Sequence, residues 1–443
     1  MGPPARGVLA HLARRSLVGG AAGRRAHVTA IVERALATRQ WALRQLIGAV
    51  DLARAIELGE HVVADAVRIL GADHPDALAS RGDLARAYES AGRVDEAIAQ
   101  YEAVLRDYQR TLGHEHPDTL STRNNLADAL EAAGRVDEAI EVYESVVAQR
   151  ARILGPEHPD TLSSLNNLAD ALESAGCVEE AIEMYEGVVA RRVRVLGADH
   201  PDTLISRNNL ASAHDTAGRV EEAMAQFEAV LADQQRVLGS DHPDTLATRN
   251  NLAYVYESAQ RIEEAVALYE HVFADRVRIL GADHPDTLIS RNNVAFGYLS
   301  AGRLPEAIAE HEALLDDRIR ILGANHPDTL TSRNNLAIAY QSARRIDDAI
   351  TILEAVVPLR TQVLGADHPH TLRSRHNIAN AYRLAGRTTE AVALFASVLA
   401  DTERALGTES PLTQLIRENL AAAQTAPVEE SMDDPGGDRG RTV

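Results

Sequence analysis

Apolar residues recur every three or four positions along most of this chain, a spacing that places them on one face of an α-helix. The clearest stripe consists of Val94, Ala97, Ile98, Tyr101, Leu105, Tyr108 and Leu112. A second segment, with Leu126 and Ala127 as its buried pair, precedes the next stripe of the same kind. The pattern predicts pairs of amphipathic helices that bury one face each.

The stretch His116-Pro-Asp-Thr-Leu-Ser-Thr-Arg-Asn-Asn-Leu-Ala127 recurs, barely altered, down almost the whole chain. Its proline falls at positions 75, 117, 159, 201, 243, 285, 327, 369 and 411, so every step is 42 residues. A fixed period in this range is typical of helix pairs that stack on their neighbours. We therefore predict an all-α fold, an α-solenoid of paired helices.

The repeat also contains its own helix boundaries. Proline suits the first position of a helix, and the aspartate after it favours the positive helix end. Glycine, as at Gly92 and Gly134, ends that helix in a left-handed conformation. Gln260 and Arg344 replace this glycine in two repeats, where we expect turns that are slightly strained or differently capped.

Small residues recur where the paired helices must approach each other. They are Ala85, Ala127 and Ala169 in first helices and Ala97, Ala139 and Ala181 in second helices. With Leu126, Tyr143 and the motifs Leu-Gly-x-x-His-Pro-Asp-Thr and Asn-Asn-Leu-Ala, the chain resembles the tetratricopeptide repeat (TPR). The 42-residue unit is similar to the kinesin light chain-like subfamily, found in actinobacterial proteins. The resemblance covers about residues 51–424 and implies a right-handed α-solenoid of antiparallel helix pairs. It also implies a bacterial protein whose first helices line a concave face.

Three segments differ in composition. Residues 1–50 carry eight arginines and one acid, Glu33, which fits either an organellar transit peptide or a degenerate first helix. The second interpretation is favoured because Asp51–Gly71 aligns with Arg93–Gly113. Residues 51–424 form the predicted solenoid, with full repeats from about 75 and a capping helix at 411–424. Residues 425–443 are predicted to be a disordered acidic tail.

Composition excludes several classes of function. The net charge of −20 and the pI near 5.3 argue against a nucleic-acid partner. No apolar run approaches the roughly 18 residues needed to span a membrane. All 45 basic residues are arginines, which rules out a P-loop or Schiff-base lysine. The single Cys177 fits a reducing, cytoplasmic location.

Side chains that could bind a metal or act in catalysis, but that recur in every repeat, are assigned a structural role. Eight histidines share one inter-helix turn: His74, His116, His158, His200, His242, His284, His326 and His368. Ligands one repeat apart cannot converge on one ion, so we predict helix capping rather than a metal site. We predict no catalytic residue, no metal and no cofactor, and hence no enzyme.

One column of asparagines is the candidate binding feature. It comprises Asn125, Asn167, Asn209, Asn251, Asn293, Asn335 and Asn377, and it continues to Asn419. In the family that the chain resembles, such a column hydrogen-bonds the backbone of an extended peptide, because a carboxamide offers both a donor and an acceptor. The alternative is that these asparagines bond neighbouring helices and stiffen the stack.

Selectivity must come from positions that vary three and six residues beyond the asparagines. The candidates are Asp128 and Asp170 early, Tyr254, Phe296, Leu299 and Ile338 in the middle, and Arg383 late. They predict a groove that is acidic, then apolar, then basic. Alternatively, Tyr254 and Phe296 pack on the adjacent repeat.

These patterns predict a non-enzymatic scaffold that binds an extended segment of another protein in a concave groove. The alternative function is the effector-sensing TPR part of a STAND/NB-ARC-type signalling system whose NTPase is absent from this chain.

Overall fold

A computed structural model describes residues 21–48, 52–408 and 410–425. Within these ranges the regular elements are all α-helices, and the predicted all-α solenoid is confirmed. Residues 1–20 and 426–443, which include most of the predicted disordered tail, lie outside the described residues. The chain divides between Val237 and Leu238 into two compact units. We call the helix that begins at the repeat proline the first helix and its partner the second helix.

In its described residues, the first unit begins with two helices and continues with four repeats. Its helices are Ala21–Gly48, Leu52–Leu70, Pro75–Ser90, Val94–Thr111, Pro117–Ala132, Val136–Leu154, Pro159–Ser174, Val178–Leu196, Pro201–Thr216 and Val220–Val237. Within this unit, each helix packs against the next one along the chain. The second helices Val94–Thr111, Val136–Leu154 and Val178–Leu196 are therefore held between the first helix of their own repeat and that of the following repeat.

The second unit repeats this arrangement and ends on an additional first helix. Its helices are Pro243–Ser258, Ile262–Leu280, Pro285–Ser300, Leu304–Leu322, Pro327–Ser342, Ile346–Leu364, Pro369–Leu384, Thr388–Leu406 and Pro411–Thr425. The last of these packs on Thr388–Leu406. Here too, each helix packs against the next one within the unit.

The first helices begin and end as their sequence predicts. In eight of them the repeat histidine is the N-cap residue with an extended backbone, and its Nδ1 accepts a hydrogen bond from the backbone N–H two residues later. At the other end, Gly302 is left-handed with a φ of 71°. Gln260 and Arg344 adopt the same left-handed region with φ of 62° and 61°, which is uncommon for residues other than glycine.

The core of each repeat forms where the two helices cross at small residues. Ala127 and Ala139 are fully buried, and the same holds for the equivalent alanines of other repeats. One large side chain from the second helix fills the space beside each crossing. This central position is occupied by Tyr101, Tyr143, Tyr185, Phe227, Tyr269, His311, Leu353 and Phe395. The geometry is close-packed, so the size of this side chain is constrained.

A buried arginine links many second helices to the following repeat. The members of this set are Arg150, Arg192, Arg276, Arg318 and Arg360. Each donates from Nη1 to the backbone carbonyl after the next repeat proline, at 2.7–3.2 Å. Each also donates to a serine hydroxyl of that next first helix, at 2.6–2.8 Å. These bonds fix one repeat against the next.

Candidate peptide-binding face

The predicted site residues lie on the first helices. On Pro117–Ala132, Ser121 and Asn125 are exposed, and Asp128 is partly buried on the following turn. Residues spaced by three or four positions share one face of a helix. We call the face formed by Ser121, Asn125 and Asp128 and by their equivalents the asparagine face.

In the first unit the asparagines donate to aspartates of the preceding repeat. Nδ2 of Asn209 donates to Oδ1 of Asp170 at 3.2 Å, and Nδ2 of Asn167 donates to Oδ1 of Asp128 at 3.5 Å. The same oxygens accept hydrogen bonds from the buried hydroxyls of Tyr185 and Tyr143. Each carboxylate therefore joins two repeats.

In the second unit three of the asparagines donate to other asparagines of the preceding repeat. The bonds join Asn293 to Asn250 at 2.8 Å, Asn335 to Asn292 at 3.0 Å and Asn377 to Asn334 at 3.1 Å. Asn335 is only 8% exposed, whereas Asn251 and Asn293 are partly buried. The amide donors thus link neighbouring repeats, as the alternative interpretation of this column expected. Peptide binding by the same column stays a prediction.

Asn125 differs from the other asparagines of its unit. The position that holds Asp128 in its own repeat holds Arg86 in the preceding repeat, and an arginine cannot accept a hydrogen bond. The exposed Asn125 instead lines a pocket of about 450 Å³. The pocket is also lined by Arg86, Glu89, Ser90, Tyr101, Asp128 and Ala132. This cavity brings the predicted residues Asn125 and Asp128 together.

Burial changes the acidity of the carboxyl groups on this part of the face. Burial raises the pKa of Asp170 to about 6, and the hydrogen bond from Tyr185 opposes that shift. Burial also raises the pKa of Asp128. The pKa of Glu89 rises to about 7 through burial and then through the charge of Asp128. These acids hold their charge less firmly near neutral pH than exposed carboxylates do.

The predicted apolar residues of the second unit have different surroundings. Tyr254 is 60% exposed, whereas Leu299 and Ile338 are partly buried. Phe296 packs edge-on against the ring of His311, with centroids 5.5 Å apart. That contact lies within one repeat, since His311 belongs to the second helix of the same pair.

The predicted basic residue is held by its own helix. Arg383 donates from Nε and Nη2 to Oδ1 of Asn380, at 3.2 and 2.8 Å. The contact spans three residues and orients the guanidinium along the helix surface. Arg383 therefore lies beside Asn380, which stands where Asp128 stands in an earlier repeat.

Two buried features were missed from the sequence. One is the arginine set of the second helices, whose signal is an arginine five residues before the glycine of the inter-repeat turn. The other is His311, which is fully buried and has no hydrogen-bond partner at either ring nitrogen. Its signal is the tyrosine that occupies its position in four other repeats.

Metal clusters and membrane-spanning helices are both absent from the part of the chain that the structure describes. Within it, no group of three or more His, Cys, Asp or Glu side chains is arranged to hold a metal ion. None of its helices combines the length and apolarity required to cross a membrane.

Stacked helix pairs at a constant 42-residue spacing define a helical-repeat solenoid protein. The tetratricopeptide repeat profile matches residues 50–110, 90–151, 118–186, 160–233, 286–362 and 334–404, and a second tetratricopeptide repeat profile matches residues 245–286. The chain belongs to the tetratricopeptide repeat family, as the sequence predicted. This family generally comprises non-enzymatic scaffolds of protein–protein interaction.

Several solved structures are similar to this chain. A Podosopora anserina protein described as a kinesin light chain with nearly identical TPR-like repeats is 40% identical over 46% of this chain and 97% of its own, with a TM-score of 0.40. BtubC (BKLC) from P. vanneervenii is 21% identical over 52% of this chain and 92% of its own, with a TM-score of 0.43. A Rap protein complexed with Competence and Sporulation Factor is 10% identical over 88% of this chain and 99% of its own, with a TM-score of 0.52. This last likeness concerns the fold alone. No curated protein matches the chain.

Proposed function

We propose that this chain is a non-enzymatic scaffold that binds an extended peptide segment of a partner protein along its asparagine face. The observation that carries the proposal is the pocket of about 450 Å³ that contains Asn125 and Asp128. Asn125 presents an exposed carboxamide there, and both the donor and the acceptor of a peptide backbone can pair with one carboxamide.

The contrast between constant and variable positions of the repeat supports the same proposal. Residues that start helices and form crossings repeat almost unchanged, whereas Asp128, Tyr254 and Phe296 occupy equivalent positions with different chemistry. Binding faces of solenoids select their partners through such variable positions. Each backbone hydrogen bond contributes only about 0.5–1.5 kcal/mol, so the variable side chains must supply most of the selectivity.

The experiment selects peptides from a random library displayed on phage and measures the affinity of the enriched peptides by fluorescence anisotropy. Asn125→Ala should lower the affinity for peptides bound in the pocket by about two- to tenfold. Tyr254→Ala should weaken those that contact the second unit by about tenfold, because exposed aromatic side chains make strong anchors.

Val363→Ala is the matched control, since Val363 is exposed on a second helix. Its affinities should equal those of the unaltered protein. Enrichment of no peptide, or equal binding by all three variants, would contradict the proposal. Co-purification of the native protein with an NTPase chain would instead favour the effector-sensing function.

A further inference from the structure

The buried arginines carry charge that is not neutralised by any carboxylate. Among the described residues, no Asp or Glu lies within ion-pair distance of Arg276 or Arg318, and their main partners are a backbone carbonyl and a serine. Burial lowers the pKa of both guanidinium groups, and an aspartate of the next first helix only partly opposes it. A buried cation without a counter-ion attracts an anion strongly.

In some repeats the other terminal nitrogen of this arginine, Nη2, donates a hydrogen bond to a hydroxyl on the asparagine face. The pairs are Arg150 Nη2 with Ser121 at 3.2 Å, Arg192 Nη2 with Ser163 at 3.0 Å and Arg360 Nη2 with Thr331 at 2.8 Å. In every pair the hydroxyl lies 29 residues before the arginine. The Nη2 atom therefore points to the surface at the first turn of the asparagine face.

Arg276 and Arg318 lack this hydroxyl, because the equivalent positions hold Ala247 and Ile289. Both arginines are more than nine-tenths buried, with 9% and 7% exposure. No hydrogen bond to their Nη2 atoms is formed within the described residues, yet neither atom is among the enclosed polar atoms that lack a partner. Solvent therefore reaches two charged donors that the protein itself leaves unpaired.

The surrounding side chains favour an acidic ligand at these donors. In this unit, Tyr254, Phe296 and Ile338 stand where the first unit has Asp128 and Asp170. Glu257, on the same face, accepts hydrogen bonds from Ser300 and Tyr269. A carboxylate brought to Nη2 would meet an unpaired cationic donor beside apolar surface, where such hydrogen bonds are strong.

We propose that Arg276 and Arg318 form a two-point site for an acidic segment of a partner protein. One Asp or Glu carboxylate of the segment accepts from Nη2 of Arg276, and a second accepts from Nη2 of Arg318. The exposed Ile289 contacts the apolar part of the segment between them. This inference rests on the proposed function, since it assigns the chemistry of the peptide to part of the asparagine face.

The test compares three fluorescent peptides of equal length, in which glycine alternates with glutamate, glutamine or lysine. Binding to the full chain is measured by anisotropy at neutral pH and low ionic strength. The glutamate peptide should bind at least about tenfold more tightly than the other two, and added salt should weaken it.

Two kinds of variant separate the donors from the fold. Arg276→Gln with Arg318→Gln removes the charge, and glutamine occupies this position naturally at the buried Gln234. Ala247→Ser with Ile289→Thr keeps both arginines but supplies the hydroxyl that Ser163 and Thr331 provide elsewhere. The first pair of substitutions should lower the affinity for the glutamate peptide about tenfold or more, and the second pair should lower it several-fold.

Arg192→Gln is the matched control, because its Nη2 is already bonded to Ser163, and it should leave binding unchanged. Circular dichroism and thermal unfolding confirm that each variant is folded. Equal binding of the glutamate peptide by the Arg276/Arg318 variant would overturn the inference. Preference for the glutamine or lysine peptide would overturn it while leaving the proposed function in place, and binding of none of the three, with an unproductive phage selection, would overturn both.

Discussion

At the scale of single residues, a tyrosine occupies the central position of a repeat where a carboxylate is available to accept a hydrogen bond from its hydroxyl. Tyr143 donates to Asp128, Tyr185 donates to Asp170, Tyr101 donates to Glu89 and Tyr269 donates to Glu257. The next repeat after Tyr185 has Phe227 at this position, and Ser212 replaces the aspartate. A buried hydroxyl without an acceptor is costly, so the two positions depend on each other.

This dependence can be measured with a double-mutant cycle. Asp170→Ser and Tyr185→Phe should each lower the free energy of unfolding by about 1–3 kcal/mol, because the first removes the acceptor of the buried Tyr185 hydroxyl and the second removes one hydrogen bond from the buried Asp170 carboxylate. The double variant recreates the Ser212–Phe227 combination and should lose less than the sum of the two. Urea unfolding at neutral pH gives the values, and strict additivity would disprove the coupling.

His311 is a second case in which one residue departs from its column. Burial lowers the pKa of its ring to about 4, and the charge of Arg318 adds to the effect. The unfolded chain takes up this proton near pH 6.5, whereas the folded chain resists it until about pH 4. Stability contributed by the neutral ring is therefore present above about pH 6.5 and is lost progressively as the pH falls towards 4.

Replacing His311 should remove this acid sensitivity. At about pH 5, His311→Leu should gain about 2 kcal/mol over the parent protein relative to their difference at neutral pH. Leucine is tolerated at this position, since Leu353 is fully buried in the next repeat. His271→Gln, at an exposed position of a second helix, should show no such gain. Urea titrations at both pH values measure the effect, and identical pH profiles for His311→Leu and the parent would refute it.

At the scale of elements, the helix boundaries are set by a few local residues. The N-cap histidine, the proline and the left-handed residue at the turn could all be predicted from the sequence, because they interact within a few positions of the chain. The partners of the asparagines could not. The acceptor of Asn209 lies 39 residues earlier, whereas that of Asn293 lies 43 residues earlier, so the choice depends on how repeats pack.

The strained turns offer a direct test at this scale. Gln260→Gly and Arg344→Gly should each raise the free energy of unfolding by up to about 1 kcal/mol, because glycine adopts a positive φ without steric cost. Gly302→Ala, at the equivalent turn of the same unit, should lower it by a similar amount. Thermal unfolding compares the three, and a loss of stability in both glycine variants would show that the turns are not strained.

At the scale of the whole molecule, every repeat has the same architecture and differs mainly in its exposed and central side chains. The period predicted the fold over residues 51–424, but it left the buried arginines and the environment of Asp170 undetected. Those features depend on contacts between repeats, and the pattern of a single repeat does not identify the partners in the next one. The exposed Tyr254 and the partly buried Phe296 had the same apparent role in sequence for this reason.

Repeat organisation also predicts how substitutions combine. The hydrogen-bond partners of Tyr185 lie in the first unit, and the ring contact of His311 lies in the second. Effects at sites without shared partners usually add within about 0.3–0.5 kcal/mol. Tyr185→Phe combined with His311→Leu should therefore change the total free energy of unfolding at about pH 5 by the sum of the single effects. Urea unfolding tests this, and a larger deviation would reveal coupling.

The capping histidines have a consequence for the imidazole ring itself. Because Nδ1 accepts a backbone N–H in all eight of the caps, a neutral ring there must carry its proton on Nε2. The caps of the described repeats thus share one tautomer. Nitrogen NMR of the imidazole side chains would report on all the helix starts together as a common resonance pattern. If one first helix lost its first turn, the nitrogen resonances of its capping histidine would depart from that pattern.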